Sequence, residues 1–451
     1  MGFSKEFVWG AAASSYQIEG AAFEDGKGLS VWDTCCDWLG FVKDGDNGKV
    51  ACDHYHKYKE DVGIMRELGL KAYRLSISWP RIMPDGTGRL SEKGLDFYDK
   101  LVDELLSNGI IPYVTLFHWD YPYELQNRGG WLNSDSPEWF AEYTSAVVKR
   151  LSDRVTHWMT QNEPQCYIGL GYKTGEHAPG LKRGLRECFK AGHNSLLGHG
   201  KATMAIRANA KKAAIIGYAP VGSVFCPATD ALADIEAAKE ATFSVIDQNF
   251  FNSSWWLDPV YLGSYPEQGL KAFEGFVPDI GANDMKIINQ PIDFLGVNIY
   301  QANLACKGED GKPKMAERPI GYSQTAFKWP VVPEALYWGP KFFYERYKKP
   351  ILITENGMAN ADWIAVDGKV HDPQRIDFLY RYIREFKRAA TDGVDAMGYF
   401  CWSFIDNFEW AEGYTQRFGL TYVDFNTLKR TIKDSGYWYR SVIETNGENI
   451  I

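Results

Sequence analysis

Basic charge is in short supply along this chain: 49 Lys and Arg stand against 58 Asp and Glu over 451 residues, a formal net charge of -9. That sign is wrong for a phosphate backbone or an anionic lipid surface, so neither nucleic acid nor a membrane is an expected partner. Long apolar runs are missing too: none approaches the roughly 18 residues needed to span a bilayer. The opening MGFSKEFVWG has no apolar core for a signal peptide and carries Glu6 where a myristoylation signal needs Ser or Thr. Cysteine is sparse, with eight residues, one adjacent pair at Cys35 and Cys36 and no repeated spacing. That excludes a disulfide framework or a zinc ribbon and fits a reducing, cytoplasmic setting. No G-x-G-x-x-G or G-x-x-x-x-G-K-[ST] loop occurs, so no nucleotide site is expected. Linkers and low-complexity tracts are absent as well, and residues 1–451 read as a single domain.

What the sequence has in excess is aromatic: 16 Trp and 26 Tyr, more than a core needs when each also requires a polar partner. An aromatic-lined cleft is suggested. Short runs rich in Val, Ile, Tyr and Phe alternate with longer amphipathic stretches, as in βα units around a parallel sheet. The runs are FVWGAAAS, AYRLSISW, IPYVTLFH, VTHWMTQN, AAIIGYAP, IDFLGVNIY, ILITENG and AMGYFCWSF, eight in all. Between them GLDFYDKLVDELLSNG has helical spacing, with Gly109 where a helix stops. Eight units in one chain predict an α/β fold, a single (β/α)8 TIM barrel with long βα loops forming the active-site cleft. A doubly wound open sheet is the competitor, and it lacks its glycine-rich loop.

In such a barrel the functional face is where the strands end. The runs finish in Gln17 and Glu19; in Trp79, with Arg74 inside the run; in His118, Trp119 and Asp120; in Asn162 and Glu163; in Asn298 and Tyr300; in Glu355 and Asn356; and in Trp402. Any one of these reads first as a satisfied polar residue at a strand end, and it is their convergence on one face that argues for a site. Glu163, in TQNEP, and Glu355, in ITENG, stand on the fourth and seventh strands. They can face each other over a substrate, as acetal cleavage requires of two carboxyl groups.

The segments FVWGAAASSYQIEG, RLSISWPRI, TLFHWDYP, TQNEP, ITENG and WSFIDNFEWAEGYTQRFGL resemble glycoside hydrolase family 1, the retaining β-glucosidases and their relatives, along nearly the whole chain. The resemblance implies a (β/α)8 barrel with Glu163 as general acid/base and Glu355 as nucleophile. It implies sugar-binding positions at Gln17, His118, Trp119, Asn162, Trp402, Glu409 and Trp410, and an aglycone platform at Trp329. Asn298, Tyr300 and Phe418 are counted with them as substrate-binding candidates, and Arg74 and Tyr300 are placed beside the nucleophile. Family members acting on 6-phosphorylated sugars carry a small or basic set in place of Glu409, and those acting on thioglucosides lack the acid, so the resemblance implies unphosphorylated O-glycosides.

The chemistry asks two carboxyl groups to behave differently. Glu355 must be ionised, favoured by Arg74 and Tyr300, while Glu163 must keep its proton near neutral pH, favoured by the charge of Glu355 and a dry aromatic wall. Double displacement predicts carboxyl groups about 5 to 5.5 Å apart, with Asn162 as partner to the sugar 2-OH. No cofactor and no metal are expected, and the partner is a small β-glycoside. Gluco, galacto and fuco configurations, the aglycone, and a monomer or homo-oligomer all stay open. The cluster Cys52, Asp53, His54 and His56 reads as hydrogen-bonded structure and not as a zinc site, and the DGDNG stretch from Asp44 reads as a loop. Asn252 opens a sequon relevant only outside the cell, and His193 and His199 read as helix packing or capping. Two rivals are a catalytically silent glycan-binding module, which would be betrayed by loss of either carboxylate, and a metal-dependent barrel hydrolase, which would need more strand-end histidines than His118.

Overall fold

The apolar runs form parallel strands in the computed structural model of the chain, which describes residues 3–246 and 248–451. The N-terminal reading therefore touches two residues, Met1 and Gly2, that lie outside the described part. The strands are β1 (Val8–Ala12), β2 (Ala72–Ser76), β3 (Ile111–Phe117), β4 (His157–Asn162), β5 (Ile215–Ala219), β6 (Phe294–Asn298), β7 (Ile351–Asn356) and β8 (Ala396–Trp402). Each pairs with its neighbours in sequence, and β8 closes on β1 through Val8↔Gly398 to Ala12↔Trp402. The open-sheet alternative is thereby excluded. Strands covered on both faces must be apolar throughout, which is why the runs show no alternation.

Inside the barrel small and large side chains fill one stack: Ala12, Ala72 and Ala219 against Tyr113, Phe294 and Phe400. Trp402 and Phe418 belong to the same cluster, so the packed interior runs without a break into the floor of the cleft. The predicted helix spans Glu92–Ser107, opened by Ser91, whose hydroxyl accepts from the Gly94 amide at 3.1 Å. It buries Leu95, Tyr98, Leu101, Val102 and Leu105, a stripe at helical spacing. Gly109 follows with φ +74°, a left-handed stop that a side chain would disfavour. Among the described residues two small sheets lie outside the barrel: Phe225–Pro227 with Asn303–Lys307 and Pro313–Met315, and the hairpin Thr421–Asp424 with Lys429–Ile432.

The segment after β8 is held by buried charge. Lys433 Nζ donates to Asp362 Oδ2 and Asp406 Oδ1, both at 2.6 Å, with all three side chains fully buried. Arg375 adds a bond to Asp362 at 2.7 Å, and Arg417 one to Asp406 at 2.6 Å. Asp406 also accepts the Gly419 amide at 2.9 Å, so this network fixes both ends of the stretch that carries Glu409, Trp410 and Phe418. Replacing Lys433 by Met leaves two buried carboxylates short of a partner. It is expected to cost about 3–5 kcal/mol, read as a fall in the urea midpoint at constant slope.

Candidate active site

A cavity of about 700 Å³ opens where the strands end. Its wall contains Glu163 and Glu355 together with His118, Trp119, Asn298, Tyr300, Trp329, Trp402, Glu409, Trp410 and Phe418. The structure thus brings together eleven of the fourteen residues singled out by sequence. Gln17, Arg74 and Asn162 are not in the wall but stand one hydrogen bond behind it. The Gln17 amide nitrogen donates to Asn407 Oδ1 at 3.0 Å, to the Phe408 carbonyl at 2.8 Å and to Glu409 Oε2 at 3.4 Å. Other strand-end residues serve structure: Trp79 stacks on Tyr143, Glu19 pairs with Arg81, and Asp120 accepts from Ser15.

The two carboxylates are wired through one buried guanidinium. Arg74 on β2 donates to Glu355 Oε1, to Asn162 Oδ1 at 2.6 Å and to Thr115 Oγ1 at 3.1 Å. Tyr300 donates its hydroxyl to Glu355 Oε2 at 2.6 Å. Asn298 donates to Asn162 Oδ1 and to Glu163 Oε1, both at 3.0 Å, and accepts from Thr354 at 2.6 Å. The Asn162 side-chain amide meets His118 Nε2 at 3.0 Å, and the Asn162 backbone carbonyl accepts the Trp119 indole N–H at 3.0 Å. Local backbone is unusual here: Trp119, Glu163 and Trp410 have φ of +79°, +46° and +50°, a region non-glycine residues rarely adopt. Gly357, which closes ITENG, has no alternative, since a Cβ there would lie 1.8 Å from the Trp402 carbonyl oxygen.

Charge separates the pair. Burial pushes the Glu163 carboxyl up to about 8, and the negative charge of Glu355 adds to that. Burial also pushes Glu355 up, but the Arg74 guanidinium and the Tyr300 hydroxyl oppose it, so Glu355 is the member that ionises first. Glu409 is likewise pushed up to about 8, by burial and then by Glu355 and Glu163. Burial, helped by Arg74, drives His118 well below the usual imidazole range, leaving it neutral.

The signals discounted in the sequence are structural. His54 bonds Asp61 at 2.8 Å, His56 bonds Asp53 at 2.5 Å, and the Cys52 thiol donates to the Asp406 carbonyl at 3.0 Å. His193 meets Tyr265 at 3.0 Å and His199 meets Thr160 at 2.7 Å. The DGDNG loop accepts the Tyr414 amide on Asp46 at 2.9 Å, behind the Trp410 segment. Among the described residues no group of three or more His, Cys, Asp and Glu could hold a metal ion. Sequence reasoning passed over Phe41, Cys166, His177, Phe251 and Phe327, which also line the cavity. GEHAPG, with its turn residues, held the one readable signal, for His177; the others sit in loops without a pattern.

Acetal hydrolysis needs two acids that share a dry cavity yet differ in protonation. The barrel mouth meets that need, and fold and site together define a glycosidase. The profile described as glycosyl hydrolase family 1 matches residues 1–448, and the chain belongs to that family. It is 45% identical over 446 residues to β-glucosidase A of Thermotoga maritima, covering 99% of this chain and 98% of the relative. To β-glucosidase A of Acetivibrio thermocellus it is 46% identical over 451 residues, covering 99% of each. The solved structure of the Thermotoga maritima β-glucosidase in complex with glucoimidazole superposes with a TM-score of 0.91 at 45% identity, covering 99% of both chains.

The split between the carboxyls is measurable. In protein labelled at the glutamate side-chain carboxyl carbon, NMR titration is expected to place Glu163 near 8, and Glu355→Gln is expected to lower it by removing the charge that raises it. An unchanged Glu163 in that variant would show that burial alone sets its protonation.

Proposed function

We propose that the chain is a retaining exo-acting β-glucosidase that releases terminal β-D-glucosyl residues from cello-oligosaccharides and from aryl and alkyl β-glucosides. In this reading Glu163 protonates the departing oxygen while ionised Glu355 attacks the anomeric carbon. Once Glu355 is esterified its charge is gone, Glu163 can ionise, and it activates the water that completes the second displacement. The observation that carries the reading is the inequality of the pair: Glu355 has a cation and a hydroxyl donor, and Glu163 has only an amide and a thiol.

The rest of the wall suits a pyranose. Trp402 and Trp410 offer flat faces to its C–H side, and Glu409, backed by Gln17, offers a carboxyl group to its hydroxyls. Asn162 has one amide hydrogen beyond the bond to His118, and we assign that hydrogen to the 2-OH. Trp329, tilted on Tyr300 and Phe327, is the platform for the aglycone. Relatives named β-glucosidase and 1,4-β-D-glucan glucohydrolase support the substrate class. Another relative, 39% identical, is named aryl-phospho-β-D-glucosidase BglC, which raises phosphorylated glucosides as a second reading. Five carboxyl groups, those of Glu163, Glu176, Glu355, Glu409 and Glu412, and no Lys or Arg in the described cavity wall count against a dianionic substrate. We also propose that the whole chain is one catalytic domain and that it works in the cytoplasm, a reading supported by eight free cysteines.

NMR of an aryl β-glucoside during the first minutes is expected to show β-glucose forming first, and initial α-glucose would overturn the retaining mechanism. The kcat/KM profile is expected to fall as pH rises through about 8, because the acid form of Glu163 is lost there. Glu355→Ala should abolish turnover of all these substrates. Glu163→Ala should cost roughly 10²–10⁴-fold on cellobiose and far less on a dinitrophenyl glucoside, which needs no proton; equal losses would remove Glu163 as the acid. Phosphorylation of the sugar 6-OH is expected to remove most of the activity on nitrophenyl glucoside, and a preference for the phosphorylated form would reverse the substrate assignment.

A further inference from the structure

The two oxygens of Glu163 are not equivalent, and donor arithmetic decides between them. A guanidinium only donates, so the Asn162 atom lying 2.6 Å from Arg74 Nη2 is its carbonyl oxygen. The Asn298 atom 3.0 Å from that same oxygen is then the amide nitrogen, and this nitrogen also reaches Glu163 Oε1 at 3.0 Å. Thr354 donating to the other terminal atom of Asn298 at 2.6 Å agrees with that orientation. Glu163 Oε1 therefore faces a fixed N–H, and protonating it would turn a good acceptor into a poor one.

Oε2 has a different neighbour. Cys166 lies in the short helix Pro164–Ile168 that follows Glu163, with its amide donating to the Glu163 carbonyl at 2.9 Å. Its thiol, in the cavity wall, is 3.4 Å from Oε2. A thiol hydrogen rotates about the Cβ–S bond, so it can donate to a bare oxygen and turn away from a protonated one.

We propose that the proton of the catalytic acid is carried on Oε2 of Glu163, and that Cys166 is the positioning residue that donates to this oxygen once the proton has left. This rests on the acid/base reading of Glu163 given above. In the first displacement the Oε2–H bond breaks and its proton joins the glycosidic oxygen, the C1–O bond to the leaving group opens with its pair going to that oxygen, and Glu355 bonds C1. The electron pair stays on Oε2, which the S–H now meets. In the second displacement the water oxygen bonds C1 as the C1–O ester bond to Glu355 breaks and returns its electron pair to Glu355, while the water proton passes to Oε2 and the thiol turns away. Cys166 exchanges no proton with the substrate.

The test is the basic limb of kcat/KM for a nitrophenyl glucoside, which reports ionisation of Glu163. The other groups acting on Glu163 are the charges of Glu355, Arg74 and Glu409, the Tyr300 hydroxyl and the Asn298 amide, and all are retained when position 166 changes. Cys166→Val and Cys166→Ala, which cannot donate, are expected to move the limb up by about half a pH unit. Cys166→Ser, which can, is expected to hold it near its original place. A mere packing role would change rates or melting temperature without moving the limb. A limb common to parent, Val, Ala and Ser variants, or a Ser variant that moves with Val, overturns the assignment. If Glu163→Ala discriminates between leaving groups while the limb stays fixed, only the Oε2 assignment fails. If Glu163→Ala does not discriminate, the acid/base reading fails with it.

Discussion

A single buried cation has to answer for two buried carboxyl groups, Glu163 and Glu355, and a half-buried third, Glu409. Arg74 is 1% exposed, and no Lys or Arg lines the described cavity wall, whereas Glu163, Glu355 and Glu409 all do. Removing charges from water is costly unless they are paired, so the site cannot hold three negative charges at once. It resolves the imbalance by keeping protons. Burial pushes all three up, and Glu355, in direct contact with Arg74, is the one whose ionised form the guanidinium favours most directly, while mutual repulsion adds to the rise of the other two. In the reaction we propose, the division of roles between Glu163 and Glu355 follows from where one guanidinium sits, and every hydrogen bond from Asn162 to Glu163 takes its direction from the same donor.

Holding that arrangement demands rigidity in parts of the chain that favour little order by themselves. Trp119, Glu163 and Trp410 sit in left-handed backbone, and conformations of that kind persist only where surrounding contacts over-determine them. Trp119 is fixed by its indole bond to the Asn162 carbonyl and by packing on Trp410, with ring centroids 4.5 Å apart. Trp410 is held in turn by Trp32 at 4.7 Å and by Tyr16, stacked at 6.0 Å. Behind this aromatic layer the Asp406, Lys433 and Asp362 network closes the loop that delivers it. The wealth of tryptophan and tyrosine in the composition is therefore spent partly on the cleft and partly on the frame that keeps the cleft in shape.

The barrel was legible because parallel strands covered on both faces must be continuous apolar runs, and all eight runs match strands. The small sheets were not, because Asn303–Lys307 and Pro313–Met315 are short and half exposed, with no run to read. The strand-end positions of Glu163 and Glu355 could be read as addresses, but not which side chains face the cavity. Pairing shifts register between Met159 and Asn162 on β4 and between Ile353 and Glu355 on β7, so alternation fails where direction matters most. Asn162 lies behind the wall while its neighbour Glu163 is in it, and Trp79 and Asp120, with equally good addresses after β2 and β3, pack elsewhere. Cys166 carried no signal at all, since its contact with Glu163 depends on one turn of helix that brings it back over that carboxyl group.

The charge balance also bears on why one residue can serve both displacements. In the reaction we propose, Glu355 is negative and Glu163 neutral before the first step, and Glu355 is an ester and Glu163 negative after it. The number of ionised carboxylates in the catalytic pair is one in both states, so Arg74 faces a constant count while the charge moves from its own side of the cavity to the other. Asn298 joins the two ends, because its amide is bound to the Arg74-linked Asn162 and to Glu163 together. A polarised chain of this kind lets the cation stabilise a charge it does not touch. A second cation beside Glu163 would hold that residue ionised from the start and leave no acid for the first step. The scarcity of positive charge in the cavity is thus a requirement of the chemistry.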